Sequence, residues 1–422
     1  MSRKKRAVAR IRSSPRAAAA GMASYYSQLC SPRHLFGAWR DISKSNKFSK
    51  GFDERSIKDF SDHLGEEILH LNRELREKTF AFVPARGVLA EKAGGKKRPI
   101  KVPAVRDRVV LTGIKQLISK KFEAFDLDCS FGYIKNRNVG DAIDTVMQLA
   151  ASGRKYVLEA DIKSFFDTVD QTLLLDMFTK EIRSRSLRPL IEQAIRSEVG
   201  NLDSFVPVDR AMFPAPDSGI PQGGVLSPML ANFYLYKFDL AMTSKGFNLV
   251  RYADDFVVMC NTEREALDAY SLCLEVLERG LKLQLHHLDD PSAKTKITRF
   301  SEGFSFLGIQ FKNGKVLPAE KVVIRFKEKV SFLTDPTRAG TILGSLFKLS
   351  NVIKGWGNAF KRYDTEHLFQ DLDLFIRESL TTFLRYHGFY RGHESLGKSH
   401  VKALGMPVLS TLRSKAISNQ PN

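Results

Sequence analysis

Leu249-Val250-Arg251-Tyr252-Ala253-Asp254-Asp255-Phe256-Val257-Val258-Met259 sets two adjacent carboxylates between two apolar, Val-rich runs. The pattern predicts a β-hairpin with the acids at its tip. Asp is a poor strand residue, and a local conflict of this kind is expected where function overrides propensity. Adjacent carboxylates repel one another and are best tolerated with a cation between them. Hard oxygen donors suit Mg²⁺. Taken alone, the dipeptide reads more readily as an ordinary Asp-bearing turn.

A third acid shifts that balance. Lys155-Tyr156-Val157-Leu158-Glu159-Ala160-Asp161-Ile162-Lys163-Ser164-Phe165-Phe166-Asp167 is a second apolar strand that delivers Asp161 near its end. Two-metal phosphoryl transfer needs carboxylates from separate elements, converging on ions roughly 3.5–4 Å apart. One strand with one Asp beside a hairpin with two supplies that set.

With these residues in place, the chain resembles the reverse transcriptases. Tyr252-Ala253-Asp254-Asp255 is similar to their signature hairpin. Gly219-Ile220-Pro221-Gln222-Gly223-Gly224-Val225-Leu226-Ser227-Pro228-Met229-Leu230-Ala231-Asn232 resembles their template- and nucleotide-facing segment. Phe304-Ser305-Phe306-Leu307-Gly308 resembles the primer-grip turn. Lys92, Arg98-Pro99-Ile100, Val102-Pro103 and Asp107-Arg108 follow the order of the fingers motifs, and Phe131-Gly132-Tyr133 with Asn138 and Ala142 also fits. The wording is most similar to the group II intron branch of bacterial enzymes, from about residue 90 to about residue 360.

The resemblance implies an α/β (α+β) right-hand polymerase with fingers, a palm on an antiparallel sheet, and a helical thumb. The expected division is a basic arm over 1–35, fingers over 36–150, a palm over 151–317 with inserted fingers helices at about 171–218, and a thumb with a basic tail over 318–422. It implies template-directed attack of a primer 3′-hydroxyl on a deoxynucleoside triphosphate, with two Mg²⁺ ions. Asp161 and Asp254 are expected to bridge both ions, with Asp255 also in the metal shell and the Ile162 carbonyl a further ligand. Phe166 takes the sugar-gate position, where a bulky ring excludes a 2′-hydroxyl. Lys92 and Arg98 fall on the triphosphate, where Arg offers a fork and Lys a point charge. Gln222 lies against nucleotide and template, and Gly223 permits close backbone approach. Lys294 matches a position that protonates the leaving group, with Lys296 an equally basic neighbour. Glu159 and Asp167 are expected to support the metal acid.

Composition agrees without naming a reaction. The 422 residues carry 66 Lys and Arg against 47 Asp and Glu, a net charge of +19, as suits a protein that follows a polyanion. A ribosome-binding or membrane-surface protein would show the same bias. No apolar run reaches the roughly 18 residues of a membrane span, the N-terminus lacks a signal-peptide core, and a cytoplasmic location is expected. Cys30, Cys129, Cys260 and Cys273 show no metal-type spacing and read as free buried thiols.

Along the chain, an acid-free arm bearing Arg3-Lys4-Lys5-Arg6, Arg10, Arg12 and Arg16 is expected to order only on nucleic acid or to act as a solubilising tail. One helix is expected over 54–79, a fingers hairpin over 83–103 with Gly94-Gly95-Lys96-Lys97 at its tip, one amphipathic helix over 263–280, two short strands over 281–311, and helices from about residue 318. Gly355-Trp356-Gly357-Asn358 resembles the intron-type thumb. Recognisable parts end there, with no nuclease motif after it. The preferred reading is a stand-alone enzyme that copies an associated structured non-coding RNA into DNA in antiphage defence. Its partners are that RNA and the DNA product or primer. The alternatives are a group II intron maturase without its endonuclease domain and an inactive RNA-binding polymerase fold.

Overall fold

The computed structural model describes residues 24–91, 97–290, 295–312, 314–338 and 340–418, with side chains to 413. The chain forms two compact units. The first comprises Met1–Leu127, Ser164–Lys237 and Arg279–Leu283, and the second Asp128–Lys163, Phe238–Glu278 and Gln284–Asn422.

In the first unit, the expected single helix over 54–79 is two, Ile57–Asp62 and Leu64–Glu77. The reason is local. Ser56 and Asp59 form a capping box that starts the first helix, while His63, at φ −120° and ψ 25°, leaves helical geometry between them. The apolar stripe of Ile57, Phe60, Ile68, Leu71 and Leu75 is buried as core. Strands β1 (Arg86–Glu91) and β2 (Lys97–Val102) pair antiparallel, Arg86 opposite Val102 and Glu91 opposite Lys97. The helix Val105–Phe122 that follows them in the chain buries Asp107, whose carboxylate accepts the Val83 N–H at 3.1 Å. Burial pushes the Asp107 carboxyl up to about 7, against the opposing pull of the Arg106 guanidinium. Helices Gln171–Ile182 and Arg188–Ile195 belong to the same unit, and Phe122 packs with Phe178 and Phe233.

The second unit is built on a sheet of β3 (Tyr156–Asp161), β4 (Asn248–Tyr252), β5 (Asp255–Cys260) and β6 (Lys296–Arg299), antiparallel throughout in the order β4-β5-β3-β6. Strand alternation sorts the two faces. Val157, Val250, Val257 and Met259 share a cluster with Ile143 and Val146 of the helix Val139–Ala151. The opposite face sets Phe256 against Phe238 at 5.0 Å between ring centres. The amphipathic helix begins as expected at Glu263, but from Leu274 to Gly280 it widens into a π turn.

Where two strands were expected over 281–311 there are three: β6, then β7 (Phe304–Phe306) and β8 (Ile309–Lys312), which with β9 (Lys315–Pro318) form a separate meander. Stacked rings of Phe304 and Phe311, 4.5 Å apart, hold it together. Helices Glu320–Leu333, Ile342–Phe360, Glu366–Tyr386, Lys398–Ala403 and Leu409–Ser418 follow around one core that includes Phe326, Ile353 and Phe369. Trp356 stacks on Phe326 at 4.6 Å, and a Cβ at Gly357 would stand 2.7 Å from Leu412, so the small residue lets the last helix close on this one. The Gly-Trp-Gly-Asn segment is thus a packing element. All four cysteines are free and buried. No helix among the described residues is long and apolar enough to cross a membrane.

Candidate active site

The acid hairpin has a two-residue turn, Ala253-Asp254, closed by the pair Tyr252 and Asp255. Ala253 has φ 58°, a left-handed conformation that costs a residue with a Cβ roughly 1–2 kcal/mol. Contacts from both sides hold it there. The Arg251 guanidinium donates to the Ala253 carbonyl at 2.8 Å and to Asp239 Oδ1 at 2.6 Å. Both members of that ion pair are inaccessible, Arg251 at 1 % and Asp239 at 0 % exposure. Burial pushes the Asp239 carboxyl up, and the bonds from Arg251 oppose it. On the other side, residues 129–131 bridge β4 in parallel, with Arg251 N–H to the Cys129 carbonyl and Phe131 N–H to the Arg251 carbonyl, both at 2.8 Å. The loop then runs so close that a Cβ at Gly132 would lie 2.4 Å from the Ala253 nitrogen.

Asp161 lies directly opposite Asp255 in the β3–β5 register. Both carboxylates continue the face that carries Val157 and Val257, beyond the end of its apolar stripe, and both line a cleft of about 550 Å³. Like charges directly opposed in a sheet are destabilising. An open cleft with hard oxygen donors is the setting a divalent cation relieves, so the donor chemistry fits Mg²⁺. Among the described residues, no three His, Cys, Asp or Glu side chains already converge on one ion position; the ready pair is Asp161 with Asp255, and Asp254 stands beside it on the turn. His286 Nε2 is 3.9 Å from Asp161 Oδ2. Ile162 is buried opposite Leu285, and the flanking bonds there use the Asp161 carbonyl and the Lys163 N–H, leaving the Ile162 carbonyl out of that pairing.

Glu159, two residues before Asp161 and on the same face, is joined to Lys296 Nζ at 3.0 Å. Burial pushes its carboxyl up, while Lys296, the Ser305 N–H and Lys321 draw it down. Lys296, Lys321 and Arg325 line the cleft with the two acids. Lys294 and Lys92 lie outside the described residues.

Arg98, Phe166, Gln222 and Gly223 belong to the first unit. Gln222 Nε2 donates to Asp167 Oδ1 at 3.2 Å, and its carbonyl accepts the Lys101 N–H at 2.8 Å. Gly223, at φ 94°, packs so tightly on β2 that a Cβ would meet Ile100 Cγ2 at 2.6 Å. Gly219 and Ile220 lie against the backbone of Phe166, whose carbonyl accepts the Ile220 N–H at 2.7 Å. One constellation therefore joins β2, the segment after Ser164 and the Gly-Ile-Pro-Gln-Gly loop. Phe166 is half-buried, edge-on to Phe165 at 5.4 Å, and Arg98 is exposed on β2.

Sequence reasoning passed over Arg251, Asp239, Lys101, Lys321 and Arg325. Arg251 had a signal: an arginine inside a Val-rich strand needs a buried partner. Asp239, in an otherwise apolar turn of the helix Ser227–Ser244, is its counterpart. Lys101 is 5 % exposed and donates to the Ser197 carbonyl at 2.8 Å; burial holds its ammonium below the usual lysine range.

Residues 90–311 match the family described as reverse transcriptase (RNA-dependent DNA polymerase). This chain belongs to that family. It is 30% identical to Protein YkfC of Escherichia coli over 63% of this chain and 77% of that one. Against the group II intron-encoded protein LtrA of Lactococcus lactis it is 27% identical over 51% of this chain, and it spans only 34% of LtrA. The retron Ec73 reverse transcriptase of Escherichia coli is 24% identical over 47% of this chain and 59% of its own length. The fold is accordingly that of a right-hand polymerase, mixed helix and antiparallel sheet.

Proposed function

We propose that this chain extends a DNA primer on an RNA template at the Asp161–Asp255 cleft. The observation that carries the reading is the register: two carboxylates from separate strands stand opposite each other on an open, cation-lined cleft. Asp161 and Asp255, with Asp254 on the turn and the Ile162 carbonyl beside them, are the groups that would hold Mg²⁺, which when bound lowers the pKa of the attacking hydroxyl and offsets charge on the departing oxygen.

The remaining work falls to the chain's own side chains. Arg251 and Asp239 fix the turn so that the carboxylates need no reorganisation. Lys296, held by Glu159, places an ammonium at the cleft. Lys294, beside it in sequence, is the proposed donor to the leaving group. In the other constellation, Arg98 and Lys92 would grip the triphosphate. Gln222 and Gly223 would shape the nucleotide floor, and the Phe166 ring would bar a 2′-hydroxyl.

The template assigned to it is a structured non-coding RNA that stays with the protein, and the setting is antiphage defence in the cytosol. The net charge of +19 supports retention of RNA. The similarity to LtrA favours a second reading, an intron maturase. Sequencing the nucleic acid that co-purifies with the protein separates them: intron sequence supports the maturase, a short recurrent structured RNA the defence enzyme. For the reaction itself, Asp254→Ala with Asp255→Ala should abolish templated synthesis with Mg²⁺ while thermal melting and RNA binding persist. Synthesis retained by the folded double variant would remove these acids from the site.

A further inference from the structure

The end of the helix Glu366–Tyr386 and the loop after it form a surface that the polymerase reading does not use. The helix stops at Gly388, φ 74°, where the Phe389 N–H returns to the Leu384 carbonyl at 2.9 Å. The loop is tied down from within. The Arg385 guanidinium collects three successive carbonyls, those of Gly392, His393 and Glu394. The Leu396 N–H donates to Thr381 Oγ1 at 2.9 Å, and Leu396, Val401 and Met406 are buried in the core beneath.

A loop this well anchored could have buried its rings. Instead Tyr386 is 65% and Phe389 70% exposed. Arg391, Lys398 and Lys402 follow them within sixteen residues of chain, all exposed. From Arg385 to Asn422 the sequence holds six Lys and Arg against one acid, Glu394. Exposed rings among cations suit a polyanion that carries flat apolar groups: each ring offers a face to a base, and each cation neutralises a phosphate. A protein-docking face would be depleted in lysine, and a duplex keeps its base faces stacked away from such rings.

We propose that Tyr386 and Phe389, with Arg391, Lys398 and Lys402, form a binding platform for single-stranded RNA. The choice of RNA over other single strands rests on the proposed function; the platform itself rests on the exposed rings and cations. The test uses the full chain and a mixed-sequence oligoribonucleotide of about 12 nucleotides, near the span of single-strand sites. Photocrosslinks from 4-thiouridine should map to residues 385–402. Tyr386→Ala with Phe389→Ala should weaken binding by about tenfold or more without changing the salt slope, because stacking displaces no counterions. Arg391→Ala with Lys398→Ala should lower the magnitude of the slope by roughly 0.7 for each lost contact.

Wild-type binding by the ring variant, crosslinks confined to other segments, or an equal loss against duplex RNA would each overturn the platform. So would a ring variant altered only in self-association, which would make this a protein contact. Extension by the wild-type chain on a short preannealed primer-template reports separately on the proposed function, which can fail while the platform stands.

Discussion

The buried pair Arg251–Asp239 separates two jobs that one ion pair usually confounds, stability and placement of the catalytic turn. Asp239→Leu leaves a guanidinium at 1 % exposure without its counter-charge, an error that costs about 3–5 kcal/mol. At about 2–4 °C per kcal/mol for a body of this size, melting should fall by roughly 10 °C. Adding Arg251→Met removes the stranded charge. Replacing both members of a buried pair by apolar residues is often neutral, so the double variant should recover most of the melting temperature. It should not recover DNA synthesis. The Arg251 bond to the Ala253 carbonyl, 2.8 Å in the native turn, has gone with the charge. The turn at φ 58° thereby loses one of its restraints. Differential scanning fluorimetry and templated extension on the same three proteins decide the matter. A double variant as unstable as the single one refutes the charge argument; a double variant that synthesises DNA at the wild-type rate refutes the positioning role.

Phe166→Ala should admit ribonucleotides by removing ring volume, read as the ratio of ribo- to deoxynucleotide incorporation; an unchanged ratio in an active variant takes Phe166 out of the gate. Deleting residues 2–16 removes seven cations and no acid, so the magnitude of the salt slope of RNA binding should fall, by up to roughly one for each lost phosphate contact; an unchanged slope makes the arm a solubilising tail. Asp107, with a native pKa of about 7 against 3.8 in the unfolded chain, keeps a proton in the native state that the unfolded chain has lost. Its contribution is therefore full below about pH 4 and falls as pH rises through about 7, by on the order of 1.4 kcal/mol per pH unit at most. Asp107→Asn should flatten that part of the stability profile, and a wild type that gains stability relative to the variant across this window would refute the assignment.

Much of this protein was legible in one dimension because the signals are local. Apolar, Val-rich runs on either side of Asp254-Asp255 specify a hairpin, and a second apolar run over 156–161 specifies the strand that carries Asp161. The sequence could also foresee free cysteines and a hairpin within 83–103. It erred where a boundary hinges on a single residue's backbone, as at His63, or where short strands follow one another through tight turns, as in 296–318.

What only the tertiary structure decided is which distant residues meet. Sequence spacing says nothing of Asp161 facing Asp255, since register is set by how the sheet faces bury. It says nothing of Asp239 neutralising Arg251, or of Lys296 finding Glu159, because a charge can be buried only where folding brings its partner within bonding distance. The chemistry was written in residue types along the chain; the geometry that makes it usable comes from packing, which brings Asp239 to Arg251 and Lys296 to Glu159.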